Sequence, residues 1–529
     1  MVAAYAGLQA RYFVPGCPET DTATYLTIAE RLVQGQPQTL QNHDPLLYQA
    51  HSWLENDRGE TVPKYAPGYP LVLALGLLAS GETAAYAMNP LLGALALVGA
   101  WLLFRFWMGA VAAVLAVLAL ASCPLFIFFT NYPLAHAADL FCVTWGLYFL
   151  WRWMVRGGLA SAVLAALALG FAHLVRPQEA VLALPVALAA VQVAKERGRT
   201  RGTRAETIAL FAVYAGLAAV HMAYNTRMFG HPFTTGYGLS GEQTAFSLAN
   251  FIHNAPYAFT ILTGLGLSLY FGLGLVALLA TPSRRDAALL WAWILPTLVV
   301  GVSYYWAPRV NNAGYGRFFL SVFPAFIGLS FALLDRLSLP PWRRFLLLGL
   351  VCGGVFAVRL PEMMFYARTS GRDWMRVQRQ GADLAIRSLR EGAVIFADRP
   401  PAIHIGGNGF VLYDLSAFQA GWCNELLSPA VPYAVKYQPS CEKRLKDFYA
   451  ANGNQLDLAL RERVQMHVEA GRQVAFLTQS SRKARQAAAL GSGFAFTPLA
   501  DMTAWGGARW ELCEVAPVRT PSSRGRPEE

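Results

Sequence analysis

Charge is what this sequence has least of. Only 14% of its 529 residues are Asp, Glu, Lys or Arg, against 55% hydrophobic, and the mean hydropathy is +0.35. A soluble domain carries about a quarter charged residues, so a soluble enzyme of this length is excluded. The seven cysteines form no CxxC pair and show no metal-ligand spacing, which argues against a zinc site. Heptads and internal repeats are also missing. The first ten residues, MVAAYAGLQA, have neither the basic flank nor the apolar length of a cleavable signal peptide. The net charge of +11 invites a nucleic-acid reading. Its basic residues, however, fall in short loops between apolar runs, where they set membrane orientation instead. No nucleic-acid partner is expected.

What is present is a succession of apolar runs of about 20 residues, the length that crosses a bilayer as a helix. They are read at 84–105, 110–130, 134–152, 159–175, 178–194, 206–225, 257–280, 287–306, 317–335 and 345–364. Alternate loops read RFW, RWMVRGG, KERGRTRGTR, TPSRRD and DRLSLPPWRR, and by the positive-inside rule these are cytoplasmic. The others, TNYPLAH, HLVRPQE, YNTRMFGHPFTTGYG and APRVNNAGYGR, then face outward. The chain is expected to be mainly α, a polytopic membrane protein. Residues 1–83 form an outer segment in which 68–81 is too short to span and dips into the interface.

The character changes after residue 366. GAVIFADRP, RQVAFLTQ, FAFTPLADM and ARWELCEV read as strands and DWMRVQRQGADLAIRSLR as an amphipathic helix. The expected division is a transmembrane domain over 1–366, an extracytoplasmic α/β domain over 367–518 and a disordered tail over 519–529. Cys423 and Cys441 would face an oxidising compartment, where a disulfide between them is one option.

The polar residues that are expensive at membrane depth gather on the outer side: Asp21, Lys64, His136, Arg176, His231 and Arg317. Arginine forks and a lysine suit a phosphate, and a carboxylate can take the proton of an acceptor hydroxyl. Such a set suits group transfer from a lipid phosphate. Each residue also has a plainer reading. Asp21 fits an N-cap for TATYLTIAERL, Arg176 and Arg317 fit interface anchors, and Glu179 fits an ion-pair partner for Arg176. Tyr224, Asn225, Gly230 and Pro232 shape a loop.

Six segments in order carry a family resemblance: ETDTATYLTIAERLVQGQ, KYAPGYPLVLAL, NYPLAHAADLF, LVRPQEAVLALP, YNTRMFGHPFTTGY and GYGRFFLSVFPAF. Spread over residues 18–330, they resemble the GT-C superfamily of polyprenyl-phosphate-sugar glycosyltransferases, in particular bacterial members related to protein O-mannosyltransferases and aminoarabinose transferases. The resemblance implies a GT-C-like helical bundle in a bacterial inner membrane. It implies an inverting transferase that moves a sugar from a polyprenyl-phosphate donor to a lipid, glycan or protein acceptor outside the cytoplasm. It implies Asp21 as the catalytic acid of the first outer loop, Lys64, Arg176 and Arg317 near the donor phosphate, and Tyr65 and Tyr69 lining the same cavity. His136 is a further substrate-binding candidate, or else a histidine that is only hydrogen-bonded at a span end. Thr22 stands where the family often has a second acid, and no further acidic pair is evident, so no cofactor or metal is expected. The family has a span before its first outer loop, and here about 15 residues precede Glu19, so that helix is read as lost or as lying beyond the given start. The rival readings are a transporter or flippase for lipid-linked sugars and a non-catalytic envelope assembly protein.

Overall fold

A computed structural model describes residues 2–17, 20–39, 44, 46, 52–198, 200–239, 246–281, 283–304, 307, 312–370, 372–397, 410–418, 448–453, 455–503 and 508–518. Cys423 and Cys441 lie outside the described residues. The chain divides into two compact units. One comprises Met1–Pro15, Thr24–Thr39 and Leu54–Arg372; the other Gly16–Ala23, Leu40–Trp53 and Asp373–Glu529. Two pieces of the first 53 residues therefore belong with the C-terminal unit, an affiliation that sequence order alone hides.

The membrane unit opens with α1 (Val2–Tyr12), takes α2 (Thr20–Val33) from Thr24 onward, and from Leu54 has a hairpin of β1 (Trp53–Glu55) and β2 (Thr61–Pro63). Eleven residues make α1 only about 16 Å long, yet it is not adrift. Tyr5 Oη donates to Thr130 Oγ1 at 2.5 Å, and Gln9 Nε2 donates to the same oxygen at 3.1 Å. The short run 68–81 and the span beginning at 84 form one helical element with a break between its two arms. Within α3 (Gly68–Phe104) the backbone breaks at Ser80 and Gly81, the latter at φ 75°. The halves fold together: a Cβ on Gly76 would sit 2.5 Å from the Ala85 Cα. Leu75 and Leu78, 63% and 68% exposed, lie on the other side of the short arm. Hydrocarbon is the solvent that suits them, as the interfacial reading of 68–81 requires.

The remaining helices follow the apolar runs. They are α4 (Ala110–Ala121), α5 (Pro124–Asn131), α6 (His136–Arg156), α7 (Leu159–Val175), α8 (Ala183–Glu196, entered by a 3-10 turn Pro177–Leu182) and α9 (Arg201–Phe229). After the short α10 (Gly236–Leu239) come α11 (Leu248–Ile261), α12 (Leu269–Leu279), α13 (Arg284–Ser303), α14 (Asn312–Gly316), α15 (Phe323–Asp335) and α16 (Pro341–Phe365). Among the described residues six helices are long and apolar enough to cross a bilayer, or eight if each of two bent pairs counts as one span. The other two of the ten runs are α6, whose polar residues lower its hydropathy, and α7, only 17 residues long. In α7, Ala162, Ala165, Ala166 and Ala172 are fully buried, small residues that let neighbouring backbones approach. The window of α15 is 83% buried and those of α9 and α16 only 11% and 17%, so α15 runs through the centre and the other two face lipid.

Two runs read as single spans are broken. The axis turns 65° between α4 and α5 and 112° between α11 and α12. At the second break a π-helical turn, Leu262–Gly266, leads into Ser268 at φ 52°. Arg359 of α16, buried, donates to the carbonyls of Gly264 and Leu265 and pairs with Glu362 at 3.0 Å. The bend frees backbone carbonyls at membrane depth, and this arginine supplies the donors they need. Hydropathy cannot show such a break because both arms remain apolar.

The second unit is a five-stranded mixed sheet in the order β4–β3–β5–β7–β6. Its strands are β3 (Val394–Ala397), β4 (Val411–Asp414), β5 (Val474–Gln479), β6 (Phe494–Thr503) and β7 (Arg509–Pro517). β3 runs parallel to β4 and β5; β7 is antiparallel to β5 and β6. Side chains alternate between faces. Val394, Phe396, Val474 and Phe476 pack under α18 (Leu456–Glu469) and α19 (Ser480–Leu490). Ile395, Ala397, Ala475 and Leu477 pack under α17 (Arg372–Ser388). Leu46 is 1% exposed within the first of these cores. Asp44 accepts from Arg463 Nε at 2.7 Å and from Tyr413 Oη at 3.2 Å. A segment from the start of the chain thus completes a domain built near its end.

Candidate functional site

The membrane unit buries a group of ionisable side chains at the helix ends opposite its arginine-rich loops. Arg176 ends α7, and its guanidinium reaches across to α6, where Asp139 accepts from Nη1 at 3.1 Å. Their side chains are 9% and 2% exposed. One turn on, Glu179 is also buried, and neither its Oε2 nor Asp139 Oδ1 has a hydrogen-bond partner among the described residues. The carboxylate that Arg176 grips is therefore Asp139, not the Glu179 that proximity in sequence suggests. His136, one turn before Asp139, packs its ring 5.3 Å from Phe129, and neither ring nitrogen has a partner among the described residues. A buried imidazole left in that state is costly.

The other cation arrives through Phe318. Arg176 Cζ lies 5.9 Å and Arg317 Cζ 5.4 Å from the centre of that ring. Both guanidiniums lie against the one Phe318 ring, which brings two like charges near each other.

Lys64, Tyr65 and Tyr69 approach from the segment before and inside the first arm of α3. Gly68 packs so closely on the last turn of α7 that a Cβ there would fall 2.5 Å from Leu174 C and Val175 N. Lys64 is buried, its Nζ 5.1 Å from the centre of the Tyr237 ring. Tyr65 and Tyr69 flank Tyr25, with ring centres 4.5 Å and 4.9 Å away. Tyr69 Oη donates to Asn89 Oδ1 at 3.0 Å, and Asn89 Nδ2 donates to the carbonyls of Tyr132 and Leu134, the turn that starts α6. A continuous set of contacts thus links Lys64 through Tyr69, Asn89 and α6 to Arg176, Phe318 and Arg317.

Six of the seven site residues read from the sequence, Lys64, Tyr65, Tyr69, His136, Arg176 and Arg317, therefore lie in the membrane unit. The seventh, Asp21, belongs to the second unit. It is half-buried and lies inside the first turn of α2, one residue past the helix start. It is not the N-cap, but its carboxylate at that end still complements the helix dipole. His231 is exposed and accepts from Phe233 N at 3.2 Å, a turn-shaping role. Its neighbours do the same: Asn225 Nδ2 donates to the Pro232 carbonyl, Gly230 closes α9 at φ 83°, and Tyr224 Oη donates to the Tyr65 carbonyl. Sequence reasoning missed Asp139, Asn89 and Phe318. Asp139 alone left a signal, as a lone carboxylate inside the apolar run HAADLF. Among the described residues no group of three or more His, Cys, Asp and Glu is placed to hold a metal ion.

Chemically, two guanidiniums share the Phe318 ring beside the buried carboxylates of Asp139 and Glu179, and Lys64 is buried on the segment leading to the Gly68 contact with α7. Arginine forks of this kind suit a phosphate.

Comparison with known proteins bears on the fold. Residues 64–224 match the family described as dolichyl-phosphate-mannose-protein mannosyltransferase. No match is found among curated proteins. The structure is similar to that of ArnT from Cupriavidus metallidurans, solved in the apo state and bound to undecaprenyl phosphate. In each case the TM-score is 0.56 at 15% identity, over 97% of this chain and 96% of that one. It is also similar to an oligosaccharyltransferase from Archaeoglobus fulgidus tethered with an acceptor peptide, with TM-score 0.53 at 12% identity over 96% of this chain and 73% of that one. The chain has the GT-C fold: a multi-pass helical bundle followed by a C-terminal α/β unit.

Proposed function

We propose that this protein is a membrane glycosyltransferase that moves a sugar from a polyprenyl-phosphate donor to an acceptor hydroxyl. The observation that carries the reading is the pair of Arg176 and Arg317 on the Phe318 ring, with Lys64 buried against Tyr237, in a chain of this fold. The acceptor oxygen attacks the anomeric carbon, the bond from that carbon to the phosphate oxygen breaks, and Asp21 takes the acceptor proton. The departing lipid phosphate keeps the electron pair, and Lys64, Arg176 and Arg317 stabilise the charge. Asp139 holds Arg176 in place, Tyr65 and Tyr69 line the donor cavity, and His136 hydrogen-bonds the donor. A single displacement inverts the anomeric centre. No metal takes part in this scheme.

Arginines cluster at the ends of the bundle opposite Arg176, in Arg105, Arg156, Arg197, Arg204, Arg285 and Arg344. The positive-inside rule then supports placing the site and the C-terminal unit outside the cytoplasm of a bacterial inner membrane. The named structural neighbours are transferases, which favours this reading over a transporter or an assembly protein.

The test is glycosyl transfer in nanodiscs with a panel of polyprenyl-phosphate sugars, comparing wild type with Asp21→Asn. Loss of a general base lowers turnover about 10²–10⁴-fold while donor binding persists. Equal turnover in the two proteins removes Asp21 from the chemistry.

A further inference from the structure

The helix that carries Arg176 ends in a pair of histidines to which the transfer scheme gives no part. Pro177 follows Arg176 and disfavours the α conformation there. Arg176 is accordingly extended, at φ −141° and ψ 112°. Its N–H donates to the Ala172 carbonyl at 2.8 Å, and its own carbonyl accepts from Glu179 N at 3.0 Å. The next carbonyl, that of Pro177, lies 3.1 Å from Nδ1 of His173, one turn back on α7. His173 Nε2 in turn lies 2.8 Å from Nδ1 of His221 on α9, with ring centres 4.4 Å apart.

The carbonyl at the end of this chain fixes the order of its donors. A carbonyl only accepts, so His173 Nδ1 carries a proton. In a neutral ring Nε2 then only accepts, and His221 Nδ1 must donate to it. His221 Nε2 is left as a bare acceptor, and among the described residues it has no hydrogen-bond partner. His221 is 2% exposed on a helix that otherwise faces lipid. Ionisable side chains at membrane depth are expensive and mark function by default. Packing alone does not account for the pair. α7 and α9 already meet at Gly170, where a Cβ would fall 2.8 Å from Leu217 Cδ1. Two apolar side chains would hold the helices together without the cost of burying polar rings.

We propose that His221 and His173 are positioning residues for the phosphate clamp. His221 sets the tautomer of His173, His173 holds the Pro177 carbonyl, and that bond fixes the backbone on which Arg176 stands. Asp139 and Phe318 fix the guanidinium at the other end of the same side chain. The role rests on the transferase reading of Arg176.

The experiment is binding of undecaprenyl phosphate to the full-length protein in nanodiscs. Wild type is compared with His173→Asn, His173→Gln, His221→Asn and His221→Leu, thermal unfolding confirming that each is folded. An asparagine amide nitrogen stands near the place of Nδ1, whereas a glutamine amide stands near that of Nε2. His173→Asn therefore keeps the donor to Pro177 and should stay near wild-type affinity, and His221→Asn should do the same. His173→Gln loses that donor and should bind about tenfold to a hundredfold more weakly, the scale of a misplacement of about 1 Å. His221→Leu should weaken binding by less, since it frees only the tautomer of His173. Nitrogen NMR of the histidine-labelled protein, assigned with the two asparagine variants, should show both rings neutral and protonated on Nδ1. Equal losses in His173→Asn and His173→Gln, losses that follow the unfolding temperature in every variant, or a His173 ring protonated on Nε2 alone overturn the proposal. Binding by wild type that is unchanged in all four variants overturns the histidine role and leaves the transferase reading standing. No binding by wild type overturns both.

Discussion

Asp139 and Arg176 allow a quantitative test of how the site is held. At 3.1 Å and an effective dielectric near 20, two unit charges attract by roughly 5 kcal/mol. Several kcal/mol per ion are lost in taking them from water, so the intact pair is close to neutral for stability. Removing one partner is different, because the other charge stays buried alone, at a cost of about 3–5 kcal/mol. Asp139→Asn and Arg176→Gln should each destabilise by that amount, and the double variant by much less than their sum. The coupling would be read from denaturant unfolding of the four proteins in mixed micelles, as a double-mutant cycle. Additivity within about 0.5 kcal/mol, the behaviour of independent sites, would refute the argument and mean that the two groups do not hold each other. Undecaprenyl phosphate binding on the same four proteins separates support from contact. Arg176→Gln should lose it outright, whereas Asp139→Asn should weaken it through misplacement of the guanidinium.

Two further outcomes are expected. Gly76→Leu should open the α3 hairpin, since even a Cβ would meet Ala85 at 2.5 Å; overpacking of this kind costs about 1–3 kcal/mol and would appear as new protease sensitivity between the arms, whereas unchanged digestion would contradict the hairpin. In the second unit, burial and then Arg472 hold His467 below its ordinary value, Arg463 adds to this, and Asp44 opposes it, with Tyr413 Oη 3.1 Å from its ring. The unfolded chain binds the proton from about pH 6.5, so stability of this unit is full above that pH and falls as pH drops towards the lower folded value. His467→Gln should flatten that slope in pH-dependent unfolding, and an unchanged slope would move its cause elsewhere.

Much of the bundle was legible because a bilayer imposes a length: ten apolar runs became ten helical segments, and a strand–helix alternation marked the α/β unit. The short run 68–81 was already set apart from the span at 84–105, and the backbone breaks there, at Ser80 and Gly81. What hydropathy could not show were the breaks between α4 and α5 and at Ser268, where both arms are as apolar as a straight helix. The short strand Val411–Asp414 was missed because four residues carry little periodicity. In the site, cations announced themselves by their cost, but Arg176's partner could not be chosen from spacing. Glu179 is three residues away in the chain, whereas Asp139 is brought in by the packing of α6 on α7. Nor does any local pattern tell that Gly16–Ala23 and Leu40–Trp53 join residues made hundreds of positions later.

That last affiliation has a consequence for how the protein is made. Asp44 must wait for Arg463, 419 residues downstream. At about 5–20 residues per second that is roughly 20–80 s of synthesis. During this interval the early segment is outside the ribosome while the domain that buries Leu46 does not yet exist. Completion of that domain is therefore a late event, after the membrane helices are threaded. A fragment begun at Asp373 would expose the hole where Leu46 belongs, so supplying the peptide 40–53 in trans should restore its cooperative unfolding.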